Sequence, residues 1–205
     1  MTPVLAFDTS GPWIDVALLQ GDAVLRRREE MAKGQAERLM PLLGEVLAEG
    51  GVAWGDLGAL GVGTGPGNFT GIRIAVAAAR GLALGLGIPA EGVRGPEALA
   101  LGLGPVTVAL LAPRGQVHLA FGDSLRQADP AAPLPAGWPD RIVGPGRDLL
   151  AQPGSTDIAA SPLAPGIARI AARRAAPGRP RPAPVYLRAA DAAPPSDPPP
   201  AILPD

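Results

Sequence analysis

Leu60-Gly61-Val62-Gly63-Thr64-Gly65-Pro66-Gly67-Asn68-Phe69-Thr70-Gly71-Ile72-Arg73 is the stretch on which the reading of this chain turns. An apolar run enters a glycine-dense turn, which opens into a long apolar segment. That is the order of a strand, a tight loop and a helix N-terminus. Gly63, Gly65 and Gly67 let the backbone take positive φ and come close to a neighbour. The Walker loop needs a lysine after its fixed spacing, and none follows. The dinucleotide fingerprint needs a third glycine where Pro66 stands. Two roles stay open: an anion held at the helix start, or a steric need for loop and helix to pack tightly. Pro66 removes a donor from any backbone nest, which favours packing. Asn68 and Thr70 are the natural N-cap candidates for a helix beginning near Gly71.

Upstream, Val4 to Phe7 reads as a strand stopped by the turn-forming run Asp8-Thr9-Ser10-Gly11-Pro12. Trp13 to Leu19 and Ala23 to Arg28 complete a three-stranded meander. A helix follows over Gln35 to Glu49, where Leu39, Leu42, Leu43, Val46 and Leu47 make a one-faced apolar stripe. Pro41 predicts a bend or a shifted start. After the strand Ala59 to Thr64, the helix Gly71 to Leu86 carries only Arg73 and Arg80 as charges. It is small at every fourth position: Gly71, Ala75, Ala79, Ala83 and Gly87. A helix apolar nearly all round needs cover on more than one side. Downstream the pattern restarts with strands at Val106 to Leu111 and Val117 to Phe121. A loop over Pro130 to Pro139, a short strand at Ile142-Val143, a helix at Leu163 to Arg174 and an extended piece Val185 to Arg188 complete it. The expected organisation is an α/β N-terminal subdomain over 1–102 and a smaller α/β subdomain over 103–188. A Pro-rich tail over 189–205 is expected to be solvated and disordered.

The 205 residues are enough for a substantial core, and 47% hydrophobic with 18% charged residues is a globular balance. A net charge of −1 gives no long-range attraction for a polyanion. With no cysteine, disulfides and thiol chemistry are excluded. Asp8 interrupts the first apolar run, and the stretch Ile74 to Pro89 is short for a bilayer and carries Arg80. A soluble, cytoplasmic chain with no membrane partner is expected.

The Ala6-Phe7-Asp8-Thr9-Ser10 hairpin, the Gly63 to Arg73 turn, the continuation Arg80-Gly81-Leu82-Ala83 and the late Val185-Tyr186-Leu187-Arg188 resemble the bacterial TsaB (YeaZ) family. The likeness covers the first hundred residues well and the remainder loosely. It implies an actin, sugar-kinase and Hsp70-like (ASKHA) duplicated α/β fold: two subdomains, the C-terminal one reduced, with a cleft between them. It also implies a non-catalytic scaffold that dimerises with TsaD. That paralogue transfers threonylcarbamoyl to N6 of adenosine 37 in tRNAs reading ANN codons. A TsaE-like ATPase would join them, tRNA would be met indirectly through the complex, and a homodimer is possible when the chain is alone. By this resemblance the first two helices form the interface, with Leu39, Leu42, Leu43, Val46, Arg73, Ala75, Ala79, Arg80 and Ala83 as its residues. A bulky residue at Ala79 is then expected to abolish association and leave the chain folded. The chain departs from the family at Gln35-Ala36, where a His-Ser pair is common, and at Leu111-Ala112-Pro113-Arg114, where an acidic turn is usual.

Asp8, Thr9 and Ser10 stand where the superfamily's first phosphate hairpin lies; they either bind nucleotide phosphate or magnesium, or are turn chemistry. Gly63, Gly65, Pro66, Gly67, Asn68, Phe69, Thr70 and Gly71 form the signature loop. Arg73 and Arg80 suit an interfacial or rim role towards a partner or RNA, because a guanidinium pairs bidentately with carboxylates. The arginines between Arg169 and Arg188 are the one basic concentration, but with 3% aromatic residues, base-stacking platforms are scarce. His118 is the only histidine, so no multi-histidine metal site can form, which argues against a metallopeptidase. No catalytic residue and no metal ligand is expected. The chain itself requires no cofactor, and any ATP and magnesium belong to the partner subunit. The alternative is an autonomous ATP-dependent phosphotransferase or ATPase of the sugar-kinase type.

Overall fold

The computed structural model describes residues 2–152, 154 and 159–187. The expectations for Arg188 and for the tail 189–205 lie outside the described residues. Strands β1 (Val4–Asp8), β2 (Trp13–Gln20), β3 (Ala23–Glu30), β4 (Ala59–Gly63) and β5 (Ala90–Val93) form a sheet in the order β3-β2-β1-β4-β5. β1, β2 and β3 pair antiparallel, whereas β4 and β5 join in parallel beside β1. A second sheet holds β6 (Thr107–Leu111), β7 (Val117–Phe121), β8 (Ser124–Ala128) and β9 (Ile142–Val143) in the order β8-β7-β6-β9. It repeats the first pattern, with an antiparallel meander and one parallel strand against its first member. The fold is therefore the duplicated α/β type, with the second sheet one strand smaller.

Helices α1 (Gln35–Glu49) and α2 (Phe69–Leu86) cover one face of the first sheet, α4 (Leu163–Arg174) covers the other, and the short α3 (Gly95–Leu99) packs against α4. The two-residue period of β1 sorts its side chains between these layers. Leu5 and Phe7 join Leu39, Leu42, Leu43, Val46, Ile72, Ala75 and Ala79, while Val4 and Ala6 join Ile167 and Ala171. Cover on both faces explains why β1 reads as an unbroken apolar run. At Gly61 an added Cβ would lie 2.9 Å from Ile167 and 3.0 Å from Ala171, so α4 sits directly on β4.

The expected element boundaries hold to within a few residues. α2 begins at Phe69, with Asn68 as its cap: the Asn68 side chain accepts from the Gly71 amide at 2.8 Å. α1 starts at Gln35 and contains Pro41 on its exposed side, where Glu37, whose carbonyl the proline leaves without its helical donor, is exposed too. Three elements escape a sequence reading. β5 is too short to show a period, and its Glu91 is buried against Arg179. α3 opens with Gly95-Pro96, and β8 is a polar edge strand. By length and composition α2 could cross a membrane, a test that the core helix of a soluble protein also passes.

Candidate cleft and docking helices

The signature loop is a clasp on the first hairpin. A Cβ at Gly63 would lie 1.9 Å from an Asp8 carboxylate oxygen, at Gly67 2.3 Å from the Ser10 carbonyl, and at Gly71 1.9 Å from the Thr9 carbonyl. Three glycines at four-residue spacing thus let three successive hairpin residues come into contact, closer than any Cβ allows. Thr9 Oγ1 donates to the Gly71 carbonyl at 2.6 Å, and the Asn68 amide donates to the Ser10 carbonyl at 2.6 Å. Gly65 takes φ +93°, where Ile72 lies behind it. Gln35, at the start of α1, donates from Nε2 to the Gly11 and Trp13 carbonyls, both at 2.7 Å, and so ties the same turn to the helix layer.

This clasp settles where the hairpin residues point. Asp8 and Thr9 are wholly buried. Asp8 Oδ1 accepts from the Ser10 amide (2.9 Å), Ser10 Oγ (2.8 Å) and Trp13 Nε1 (3.2 Å). Its Oδ2 is buried against Gly63 with no hydrogen-bond partner in the described structure. Burial pushes the Asp8 carboxyl above its ordinary range, against the opposing pull of those hydrogen bonds. Asp8 and Thr9 are therefore turned into the fold, and of the three hairpin residues expected to meet phosphate or magnesium only Ser10 faces the cleft. Ser10 lines a cleft of about 490 Å³ with Trp13, Arg28, Asn68, Leu110 and Leu163. The cleft's arginines are neutralised: Arg26 forks onto buried Asp15 at 2.8 and 3.0 Å, and Arg28 pairs with Glu30 at 2.6 Å and lies over the Trp13 ring. Among its described lining residues the cleft thus offers a magnesium–nucleotide no carboxylate, and its two arginines are already paired with acids. His118 on β7 is buried, and desolvation pushes its pKa down and keeps the ring neutral. Among the described residues no group of three or more His, Asp or Glu could hold a metal.

The expected interface divides in two. Leu39, Leu42, Leu43, Val46, Ala75 and Ala79 are at most 1% exposed. This corrects their expected partner role: the stripe that needed covering is covered by the chain's own sheet. Ala83 is half-buried, while Arg73 and Arg80 are exposed, and both reach the chain's own C-terminal strap, residues 176–187. Arg73 donates from Nε to Tyr186 Oη at 2.9 Å and lies over the Phe69 ring, which stacks on Tyr186 at 4.8 Å. Arg80 donates from Nε to the Pro182 carbonyl at 2.7 Å. Only 28% of the residues of α2 are buried. Its outward side presents Ala77, Gly81, Leu84 and Gly85, with Leu84 80% exposed, and α1 presents Met40 at 42% and Gly44. Sequence reasoning missed this face. The available signal was the set of helix glycines at 44, 81 and 85, where an added Cβ meets nothing within 4 Å inside the chain.

The family model described as TsaD, tRNA N6-adenosine threonylcarbamoyltransferase, matches residues 28–130. The tRNA threonylcarbamoyladenosine biosynthesis protein TsaB of Escherichia coli is 38% identical over 90 residues, 44% of this chain and 39% of that protein. The likeness thus spans well under half of that relative's length. An uncharacterized protein of Mycobacterium tuberculosis is 33% identical over 207 residues, covering 95% of each chain. The solved structure of YeaZ from Pseudomonas aeruginosa superposes with a TM-score of 0.73 at 28% identity, over 91% of this chain and all of that one. The chain belongs to the TsaD-type tRNA N6-adenosine threonylcarbamoyltransferase family, in its TsaB/YeaZ branch.

Proposed function

We propose that this chain is a non-catalytic subunit in tRNA threonylcarbamoyladenosine biosynthesis, and that it docks on a TsaD-like catalytic partner through the outward faces of α1 and α2. The observation that carries this is the set of outward helix glycines, Gly44, Gly81 and Gly85. Each costs a helix about 1 kcal/mol relative to alanine, and none has a close contact inside the chain that would require it. A second backbone approaching that face gives them a use. Leu84 and Met40 beside them supply apolar area to bury. The corrected interface therefore keeps the two helices and replaces their inner residues with their outer ones.

The sealed Asp8 and the neutralised cleft support the non-catalytic role. Nucleotide and magnesium belong to the catalytic partner and to a TsaE-like ATPase. The chain works in the cytoplasm, and a homodimer over the same face competes with the heterodimer. Size-exclusion chromatography with the TsaD-like protein tests the reading, with a 1:1 complex expected. Absence of a complex at micromolar concentrations refutes it. Tight ATP–magnesium binding with turnover by the chain alone supports the autonomous phosphotransferase instead.

A further inference from the structure

The cleft beside the first hairpin has an apolar wall that the described residues leave uncovered. Pro12, Pro66, Leu110, Leu111, Pro145 and Leu163 line it, and Leu111 is 43% exposed. Its charges are spent: Asp15 holds Arg26, and Glu30 holds Arg28. A space of about 490 Å³ encloses a few side chains, not a folded partner. The same chain carries a segment of matching chemistry outside the described residues. Pro198-Pro199-Pro200-Ala201-Ile202-Leu203-Pro204 has no charged or hydrogen-bonding side chain, and Ile202 and Leu203 are the only large apolar residues in 188–205. The strap leads that segment to the rim of the cleft. The Val185 amide donates to the Thr64 carbonyl at 2.8 Å, and Tyr186 stacks on Phe69. The described strap therefore ends beside Pro66, Gly67 and Asn68, which form one wall of the cleft.

We propose that residues 198–204 of this chain occupy the cleft as an intramolecular plug. Leu187 and Ile202 are 15 positions apart, and an extended proline-rich chain advances about 3.1 Å per residue, a reach of about 46 Å. A flexible coil of that length still spans about 20 Å, so the linker crosses the cleft with length to spare. Such a tether holds the segment at an effective concentration on the order of millimolar, and a weak intrinsic affinity then suffices. The prolines restrict the free segment, which lowers the entropy lost on docking. Ile202 and Leu203 exchange water for the leucines of the wall. A cleft with no unpaired charge suits this neutral run, while Asp197 stays in solvent. The plug narrows the expected solvated tail to 189–197, and any soluble ligand of the cleft must first displace it. The inference does not depend on the docking face, because none of these cleft residues lies on the outward sides of α1 and α2.

The chain has no cysteine, so Ser196→Cys gives the full chain a unique site for a nitroxide spin label just ahead of the plug. Amide NMR spectra before and after reduction of the label by ascorbate read which residues it approaches. The Leu111 and Leu163 signals should broaden, and those of Gly81 and Leu84 on the docking face should not. Adding Ile202→Asp and Leu203→Asp removes both apolar anchors and should lower the docked-to-free ratio about tenfold or more. The broadening is then lost while signals away from the cleft match the parent's, since both positions lie outside the described fold. Leu111→Gln, at the exposed end of β6, should release the segment from the cleft side. Broadening that survives the double variant overturns the proposal. So does broadening of Gly81 and Leu84, which would put the segment on the docking face. A spin-labelled chain that broadens the cleft signals of an unlabelled, isotope-enriched chain overturns it as well, because the segment would then come from a second copy. A chain that passes this test but forms no complex with the TsaD-like protein refutes only the proposed function.

Discussion

Gly81→Leu separates docking from folding by moving the two in opposite directions. The position lies in the exposed C-terminal half of α2, and a Cβ there meets nothing within 4 Å. Replacing glycine by a good helix former in a helix interior stabilises by about 0.5–1 kcal/mol. In a domain of this size that raises the melting temperature by about 1–4 °C. If a partner backbone lies against Gly81, four added carbons overpack a close contact and cost about 1–3 kcal/mol. Affinity then falls about 5- to 140-fold. Thermal unfolding and interferometry against the TsaD-like protein read both quantities on one preparation. Ala79→Leu is the control: Ala79 is wholly buried, so this substitution should lower the melting temperature and weaken docking only as far as it unfolds the chain. A Gly81→Leu protein that melts higher and binds at parental affinity refutes the outward-face interface. One that melts lower refutes the claim that nothing packs there.

Leu84→Gln should also weaken docking, by roughly the 1–2 kcal/mol of an 80% exposed leucine that becomes buried, with little change in monomer stability because glutamine is about as good a helix former. Gly71→Ala drives a methyl onto the Thr9 carbonyl 1.9 Å away, and its melting temperature should fall by roughly 2–12 °C. Asp8→Asn removes a carboxyl that burial raises above 3.8. In the native state such a group holds its proton after the unfolded chain has lost it, so its stability contribution is full below pH 3.8 and is lost as pH climbs through the raised value. The parent and Asp8→Asn should melt alike near pH 3 and diverge above it, with the variant more stable; parallel curves refute the assignment. Tyr186→Leu removes the Arg73 bond and the Phe69 stack, worth about 0.5–1.5 kcal/mol as an aromatic pair, and trypsin should cut the strap about 2- to 12-fold faster at unchanged global stability.

Much of the first sheet and its helices was legible because alternation and 3.6-residue stripes report which faces are covered. They do not report what covers them. The stripe Leu39, Leu42, Leu43, Val46 and the small residues Ala75 and Ala79 signalled a buried face, and the protein's own β1, β2 and β4 turned out to bury it. The complementary signal lay in the glycines that no internal contact explains. The loop's specificity was readable, but its object was not: only the folded hairpin shows Gly63, Gly67 and Gly71 opposite Asp8, Ser10 and Thr9. Arg73 and Arg80 join Tyr186 and Pro182 across 113 and 102 positions, a separation that no local period encodes.

The placement of α4 bears on how the protein is made. The face of the first sheet built from Val4, Ala6, Ala17 and Leu19 is closed by a helix that begins at Leu163. On a ribosome adding 5–20 residues per second, roughly 80 residues separate the end of β5 from the end of that helix, a delay of about 4–16 s. Throughout that interval the nascent sheet has one greasy side bare. Nascent-chain stalling before Arg174 should therefore trap a species that recruits chaperones, and release past it should free one that does not.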